Sequence, residues 1–330
     1  MDIKKRSARM GAAFILLALV LRFGGILTVT AAPVLRLQEP NGLEQFYREL
    51  SSLSVRIPAT LPPGPTLPLP QPEQAPVFSP ADVSYIHMRY STGSSYRPDL
   101  EALLTSKLDW ELDDGAPAVL IFHSHGSEAF TKVPGQNYTE LINTRTHNTE
   151  YNMIAVGDLL TQLLEAAGIR VIHDRTMHDV PSYNTAYQSS RKAVQDILAQ
   201  YPTIQLVLDL HRDSATNPDG SRYATGVTVD GEKIAQLMLV MGTDGSGLPH
   251  PLWEENLSVA LKLLAVLEQQ TPGITRTTTL RASHYNQDLH PAMLLVEVGS
   301  SGNTLSQAKA AVERLAAAII ALKDGANLPT

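Results

Sequence analysis

The sequence predicts an α/β fold: a mostly parallel sheet with helices on both faces. Three short apolar runs, Val119–Phe122, Ile204–Leu210 and Met293–Val298, have the length and aliphatic content of buried strands. Tyr151–Ala167, Tyr187–Gln200, Leu252–Gln270 and Thr304–Leu322 lie between and after them, with apolar residues at helical spacing. Alternation of the two kinds of segment implies parallel strands, because each crossover must carry the chain back to the same end of the sheet.

Composition bounds the rest. The chain has 330 residues, 43% hydrophobic and 18% charged, which is globular and excludes wholesale disorder. A net charge of −7 argues against a nucleic-acid binder, which would need a basic patch to neutralise phosphates. Cysteine is absent, so disulfides and Cys-based metal or redox motifs are excluded.

In chain order, Lys4, Lys5, Arg6 and Arg9 precede the apolar runs Met10–Leu21 and Phe23–Val29, the pattern of an export segment. The two runs together span about 20 residues, enough to cross a bilayer. Arg22 interrupts them, so cleavage near Thr30–Ala32 is the alternative to a retained anchor. We read an anchor over 1–33 with the rest of the chain extracytoplasmic, a Pro-rich linker over 34–80, and a catalytic domain over 81–325. Pro58, Pro62, Pro63, Pro65, Pro68, Pro70, Pro72 and Pro76 forbid helix in the linker and favour an extended stalk.

Asp82–Tyr90 reads as a leading strand and Arg97–Leu112 as a stretch holding a short helix. Asp113–Gly115 is a turn and Val119–Phe122 a strand. Lys132–Glu150 lacks periodicity and reads as a loop. Asn152 caps the helix Tyr151–Ala167, and Gly168 stops it. Ile169–His173 is a strand. Val227–Val229 and Ile234–Met241 form a hairpin around Asp230-Gly231. Ile274–Leu280 is strand-like, and Thr304…Gln307 is a capping box opening the last helix.

Chemistry concentrates where strands end, the usual ligand position in such sheets. Val119–Phe122 breaks into His123, His125 and Glu128, Ile204–Leu210 runs into His211, and Glu297 sits inside Met293–Val298. A hydrolytic zinc site needs three N or O ligands, an open position for water, and a carboxylate to take the water's proton. His125, Glu128 and His211 are assigned as metal ligands and Glu297 as general base. An acid inside an apolar strand is otherwise desolvated without a partner. His123 competes with His125, since strand alternation would point both to the same side, and Gly126 favours His125. His147 and Glu150 compete with Glu128. Arg212 and Asp213 either bind substrate, orient the imidazole or form a structural salt bridge. His173 and His178 read as surface residues. Tyr285-Asn286-Gln287 is either a ligand loop or a turn, and Gly299–Asn303 reads as a turn.

V-L-I-F-H-S-H-G-S-E, N-M-I-A-V-G-D, L-D-L-H-R-D-S, Y-N-Q and L-L-V-E-V-G-S-S-G-N-T, in this order from about Asp82 to Ala321, resemble the stage II sporulation protein P family. That family is related to the zinc-dependent N-acetylmuramoyl-L-alanine amidases. The resemblance implies an amidase-like (phosphorylase/hydrolase-like) fold, and a membrane-anchored peptidoglycan hydrolase of sporulation and engulfment at the septum. Such an enzyme cleaves the amide between N-acetylmuramic acid and L-alanine, and stem-peptide crosslinks as well. It implies zinc as cofactor, and stage II sporulation proteins D and M as partners. His125 and His211 match the family's paired histidines and Glu297 the catalytic glutamate. The related amidases take a third ligand from near the start of the following helix, which points to Glu150, whereas the acid at Glu128 belongs to the sporulation branch. Two other readings stand beside it: a zinc carboxypeptidase-like protease, which would release a C-terminal residue instead, and a non-catalytic wall-binding scaffold that recruits a glycan-cutting partner.

Overall fold

The computed structural model describes residues 75–93 and 95–325. The expected membrane segment, and all but the last residues of the expected linker, lie outside them. Among the described residues no helix is long and apolar enough to cross a membrane.

The strands are β1 (Met88–Ser91), β2 (Val119–Phe122), β3 (Val171–His173), β4 (Leu206–Asp213), β5 (Val227–Val229), β6 (Glu232–Ile234), β7 (Leu237–Gly242), β8 (Thr278–Arg281) and β9 (Met293–Ser300). The helices are α1 (Leu100–Thr105), α2 (Met153–Ala166), α3 (Ala186–Gln200), α4 (Trp253–Gln270) and α5 (Leu305–Ala321). One sheet runs β1-β8-β7-β9-β4-β2-β3, with β5 and β6 paired apart. All neighbours in it are parallel except β7 and β9. The mostly parallel sheet is therefore present, as two parallel blocks running in opposite directions. The site belongs to the block β9-β4-β2-β3.

Strand alternation sorts the core into layers. Val119, Ile121, Leu206, Leu208, Leu210, Leu294, Val296 and Val298 pack with α2, α4 and α5. Leu120, Phe122, Val207 and Met293 pack with Val194, Ile197 and Leu198 of α3 on the other face. Helices cover both faces, and among the described residues α3 is the α-helix on the second. Asn152 caps α2 by accepting from Ile154 N, and the Thr304/Gln307 capping box opens α5.

Several boundaries differ from the expectations, each for a local reason. Pro80–Tyr85 is a 3-10 helix, because Ser79 and Asp82 cap it with Pro80 in its first turn, and the strand waits until Met88. Phe78 is already buried in the main core, so packing begins ahead of residue 81. The helix expected within Arg97–Leu112 ends at Thr105. The following segment is held instead by the C-terminal end of α5, where Trp110 Nε1 donates to Leu322 O and Leu112 N to Lys323 O. The Asp230-Gly231 hairpin forms, with φ of 51° and 85°, but stops at Ile234. Leu237–Gly242 then leaves it to join the main sheet between β8 and β9.

α1 and α4 are tied by a buried lysine. Lys262 Nζ donates to Leu103 O (2.8 Å), Ser106 Oγ (3.0 Å) and Ser258 Oγ (2.9 Å), capping the end of α1. Burial pulls its pKa down to about 8.

Candidate metal centre

β2 stops at Phe122, and the turn that follows carries His125 and Glu128, closed by Glu128 N donating to His125 O. His211 and Glu297 lie on β4 and β9 and are register partners across the parallel pair. His125, Glu128 and His211 are buried, and one potential ligand atom from each lies within 4.8 Å of the others. Glu128 bridges the two histidines, with Oε1 4.0 Å from His125 Nδ1 and Oε2 3.7 Å from His211 Nδ1. Two atoms bound tetrahedrally at about 2.1 Å would be about 3.4 Å apart, so this spacing fits a small cation. Glu297 Oε2 is sealed from solvent and has no hydrogen-bond partner, an orphan that a nearby cation would explain. An N, O, N donor set suits zinc.

Residue parity separates the two histidines of the turn. Val119 and Ile121 face α2, and His123 continues that face beneath the helix. Val207, Asp209 and His211 share the α3 face with Met293, Leu295 and Glu297. Because the strand ends at Phe122, alternation no longer binds His125, and the turn brings it to the α3 side. His123 is committed elsewhere: its Nδ1 lies 3.0 Å from Leu210 O and its Nε2 2.9 Å from His173 Nε2. Burial lowers its pKa to about 3. His173 is likewise enclosed against Gly157 of α2, so the surface reading of His173 is corrected. His178 is corrected too. It is buried, with Nε2 2.9 Å from Asp174 Oδ2 and Nδ1 3.0 Å from Ser189 Oγ, which pins the loop after β3 to α3.

Partners surround the cluster that the single-residue reading left out. Asp209 Oδ1 lies 2.9 Å from His211 Nε2, leaving Nδ1 toward Glu128. Ser124 holds Asp209 through N (2.8 Å) and Oγ (2.7 Å). This is the carboxylate–histidine pairing that orients metal-bound imidazoles. The alternation D-L-H already places Asp209 on the face of His211. Burial disfavours charge on His211, but Asp209 and Glu128 outweigh it and raise its pKa. His125 lacks such a partner, and burial lowers its pKa to about 4. Burial raises Glu297 to about 8, with Glu128 adding to the effect and His211 opposing it.

Glu128 is held by Arg145 Nη2 (3.3 Å) and by the backbone N of Arg212 (3.2 Å). A β-bulge aims that backbone N–H: Arg212 alone opposes Val298 and Gly299, with Gly299 at φ 70°. A Cβ there would lie 2.8 Å from Ala235 Cβ, so glycine is required by space as well. The Arg212 guanidinium donates to Ala129 O, Asn143 O and Thr144 O, while Asp213 pairs with Arg276. Arg212 and Asp213 are therefore structural. Asn286 and Gln287 spend their amides on Tyr187 O and Val240 O, so Y-N-Q is a locked turn that delivers Tyr285 to the site. Asn303 accepts from Ser300 N within its own turn and donates to Thr225 O, tying that turn to the segment before β5.

Two tyrosines that the sequence did not single out, Tyr183 and Tyr187, join Tyr285 in the site's aromatic wall. Tyr183 stacks on His125 (centroids 4.3 Å apart), and Tyr187 meets His125 edge-on (5.4 Å) and lies nearly parallel to His211 (6.4 Å). A groove of about 1080 Å3 opens beside Glu128, lined by Leu141, Ile142, Arg145, His147, Val180 and Tyr183. His147 lies on the groove and Glu150 on the exposed surface, and neither joins the buried trio.

Comparisons with known proteins bear on the whole domain. Stage II sporulation protein P of Bacillus subtilis (strain 168) is 29% identical over 212 residues, 60% of this chain and 49% of that protein. The chain thus spans about half the length of that curated relative. Solved structures with partial likeness include the N-acetylmuramyl-L-alanine amidase Ami1 of Mycobacterium smegmatis, at 10% identity and a TM-score of 0.38 over 62% of this chain and 96% of that one. Another is the CwlD amidase of Clostridioides difficile, solved with the GerS lipoprotein, at 16% identity and a TM-score of 0.36 over 62% and 96%. Residues 76–320, which contain the cluster, the tyrosine wall and all the strands of the sheet, match the stage II sporulation protein P family, and the chain belongs to that family.

Proposed function

We propose that the protein is a zinc-dependent peptidoglycan hydrolase of sporulation that cleaves the amide between N-acetylmuramic acid and L-alanine. The carrying observation is the convergence of His125, Glu128 and His211 beside an unpartnered Glu297 at adjoining ends of parallel strands. His125, Glu128 and His211 would hold the metal, with Asp209 orienting His211 and Arg145 orienting Glu128. Bound there, zinc supplies Lewis acidity and lowers the pKa of water toward about 7.

Glu297 takes a proton from the attacking water as the water oxygen bonds to the carbonyl carbon. It returns that proton to the nitrogen as the C–N bond breaks. The products are a lactyl carboxylate on the sugar and a peptide with a free alanine amine. The groove beside Glu128 holds the substrate arm that extends from the scissile bond. On this reading the N-terminal apolar segment anchors the enzyme in the cell membrane with this domain outside. Proteins D and M of the same sporulation stage are its partners, and stem-peptide crosslinks are a second substrate.

The test is incubation of the full chain, zinc-loaded and in detergent, with purified peptidoglycan, followed by labelling of new amino termini and mass spectrometry. Wild type releases peptides beginning with free L-alanine. Glu297→Gln keeps its zinc and loses this release by about 10²–10⁴-fold. Absence of such peptides from the wild type, or full activity of E297Q, would overturn the proposal.

A further inference from the structure

We propose that the Tyr187 hydroxyl donates a hydrogen bond to the oxygen of the carbonyl under attack, an inference that rests on the hydrolase reading above. Tyr187 lies in the first turn of α3, and its ring touches both candidate metal-binding imidazoles. Tyr285 packs against it at 5.8 Å, and the Tyr187 carbonyl accepts from Asn286 Nδ2 at 2.9 Å. The ring is thus clamped from the side and from the backbone. Its hydroxyl has no hydrogen-bond partner among the described residues.

The guanidinium, amide and serine donors around the site are engaged elsewhere. The Arg145 guanidinium is spent on Glu128 and Asp179, Arg212 on backbone carbonyls, Ser124 on Asp209, and Asn286 on Tyr187 itself. A phenol is protonated at neutral pH, so the group is a donor there.

As the water oxygen bonds to carbon, negative charge grows on the carbonyl oxygen. A preorganised donor aimed at it is worth most in a site closed to water. No proton leaves Tyr187: the water's proton passes to Glu297 and on to the departing nitrogen. A ring kept only for packing would serve equally well as phenylalanine, and that difference is measurable.

The experiment compares the full chain and its Tyr187→Phe variant, both zinc-loaded, in three measurements. These are zinc content, turnover of a muramoyl-peptide, and calorimetric affinity for a tetrahedral phosphinic analogue of the muramoyl–alanine linkage. We expect Y187F to keep its zinc, its unfolding midpoint and its KM within about twofold. It loses kcat by about 10²–10³-fold, the effect of one missing oxyanion donor. Affinity for the phosphinic analogue falls by a similar factor, while affinity for the sugar carboxylate product is unchanged. Unchanged kcat and analogue affinity in Y187F would overturn the inference and leave the amidase reading standing. Loss of zinc would overturn it by making Tyr187 a support for the ligands. Failure of the wild type both to turn over substrate and to bind the analogue would overturn the amidase reading and the inference together.

Discussion

Gly157, inside helix α2, sits against the buried His123–His173 pair. A Cβ at this position would lie 2.5 Å from His173 Nε2 and 2.7 Å from His123 Nε2, closer than any real contact. Gly157→Ala should therefore force the rings apart, although alanine is the better helix former by about 1 kcal/mol. Against that gain stand overpacking, which costs about 1–3 kcal/mol, and a buried imidazole nitrogen left without its partner, about 1–3 kcal/mol more. The ring of His123 cannot swing away cheaply, because Leu210 O holds its Nδ1 and it has no exposed surface. The net expectation is a loss of roughly 3 kcal/mol, or a drop of about 6–12 °C in the unfolding midpoint for a domain of this size. Circular dichroism on the full chain measures it. Adding His173→Ala opens the space, so the double variant should recover at least about 1 kcal/mol relative to additivity. A midpoint that rises in G157A, as helix propensity alone dictates, would refute the packing argument.

Asp209→Asn keeps the shape of the second carboxylate but removes its charge beside His211. Zinc affinity should fall about 10–100-fold in a chelator competition, and unchanged affinity would show that Asp209 does not orient the imidazole. Lys262 gives a pH signature remote from the site. Its folded pKa of about 8 lies below the ordinary value of 10.5, so from pH 8 to 10.5 the unfolded chain binds more protons. Stability from this residue is therefore lowest below pH 8 and grows as pH rises, by up to about 1.4 kcal/mol per unit. The midpoint difference between wild type and Lys262→Met should move in the wild type's favour across that window. A constant difference would show that Lys262 titrates normally.

The strands that matter most for the site were the most legible. β2, β4 and β9 are continuous apolar runs because both of their faces are covered, and polar residues within them stand out for that reason. Glu297 could be singled out on desolvation alone. Its pairing with His211 could not, because register is settled between strands remote in sequence. The same limit hid the antiparallel junction of β7 with β9, which no local pattern encodes. Strand alternation alone pointed His123 and His125 to the same side, and only Gly126 favoured His125. Once Phe122 ends the strand, their faces separate. Tyr187 escaped notice because a tyrosine in an amphipathic helix looks like core, and only the packing of α3 over β4 sets it on the histidines. His178 looked exposed for the opposite reason: its local partner Asp174 encloses it only once the loop packs on α3, which supplies Ser189.

The place of β9 in the sheet also governs when the molecule becomes whole. It is the last strand among the described residues, yet it lies between β7 and β4, and it brings Glu297 with it. Until residues 293–300 have been synthesised, β4 presents an unpaired edge and the two parallel blocks have nothing to join them. A chain growing from its N-terminus can assemble β2, β3 and β4 early, but the blocks close and the acid arrives in the same late event. Closure of the sheet and arrival of the proposed base are thus one step, with α5 still to pack on the core, and nascent chains that stall before β9 are left without that acid.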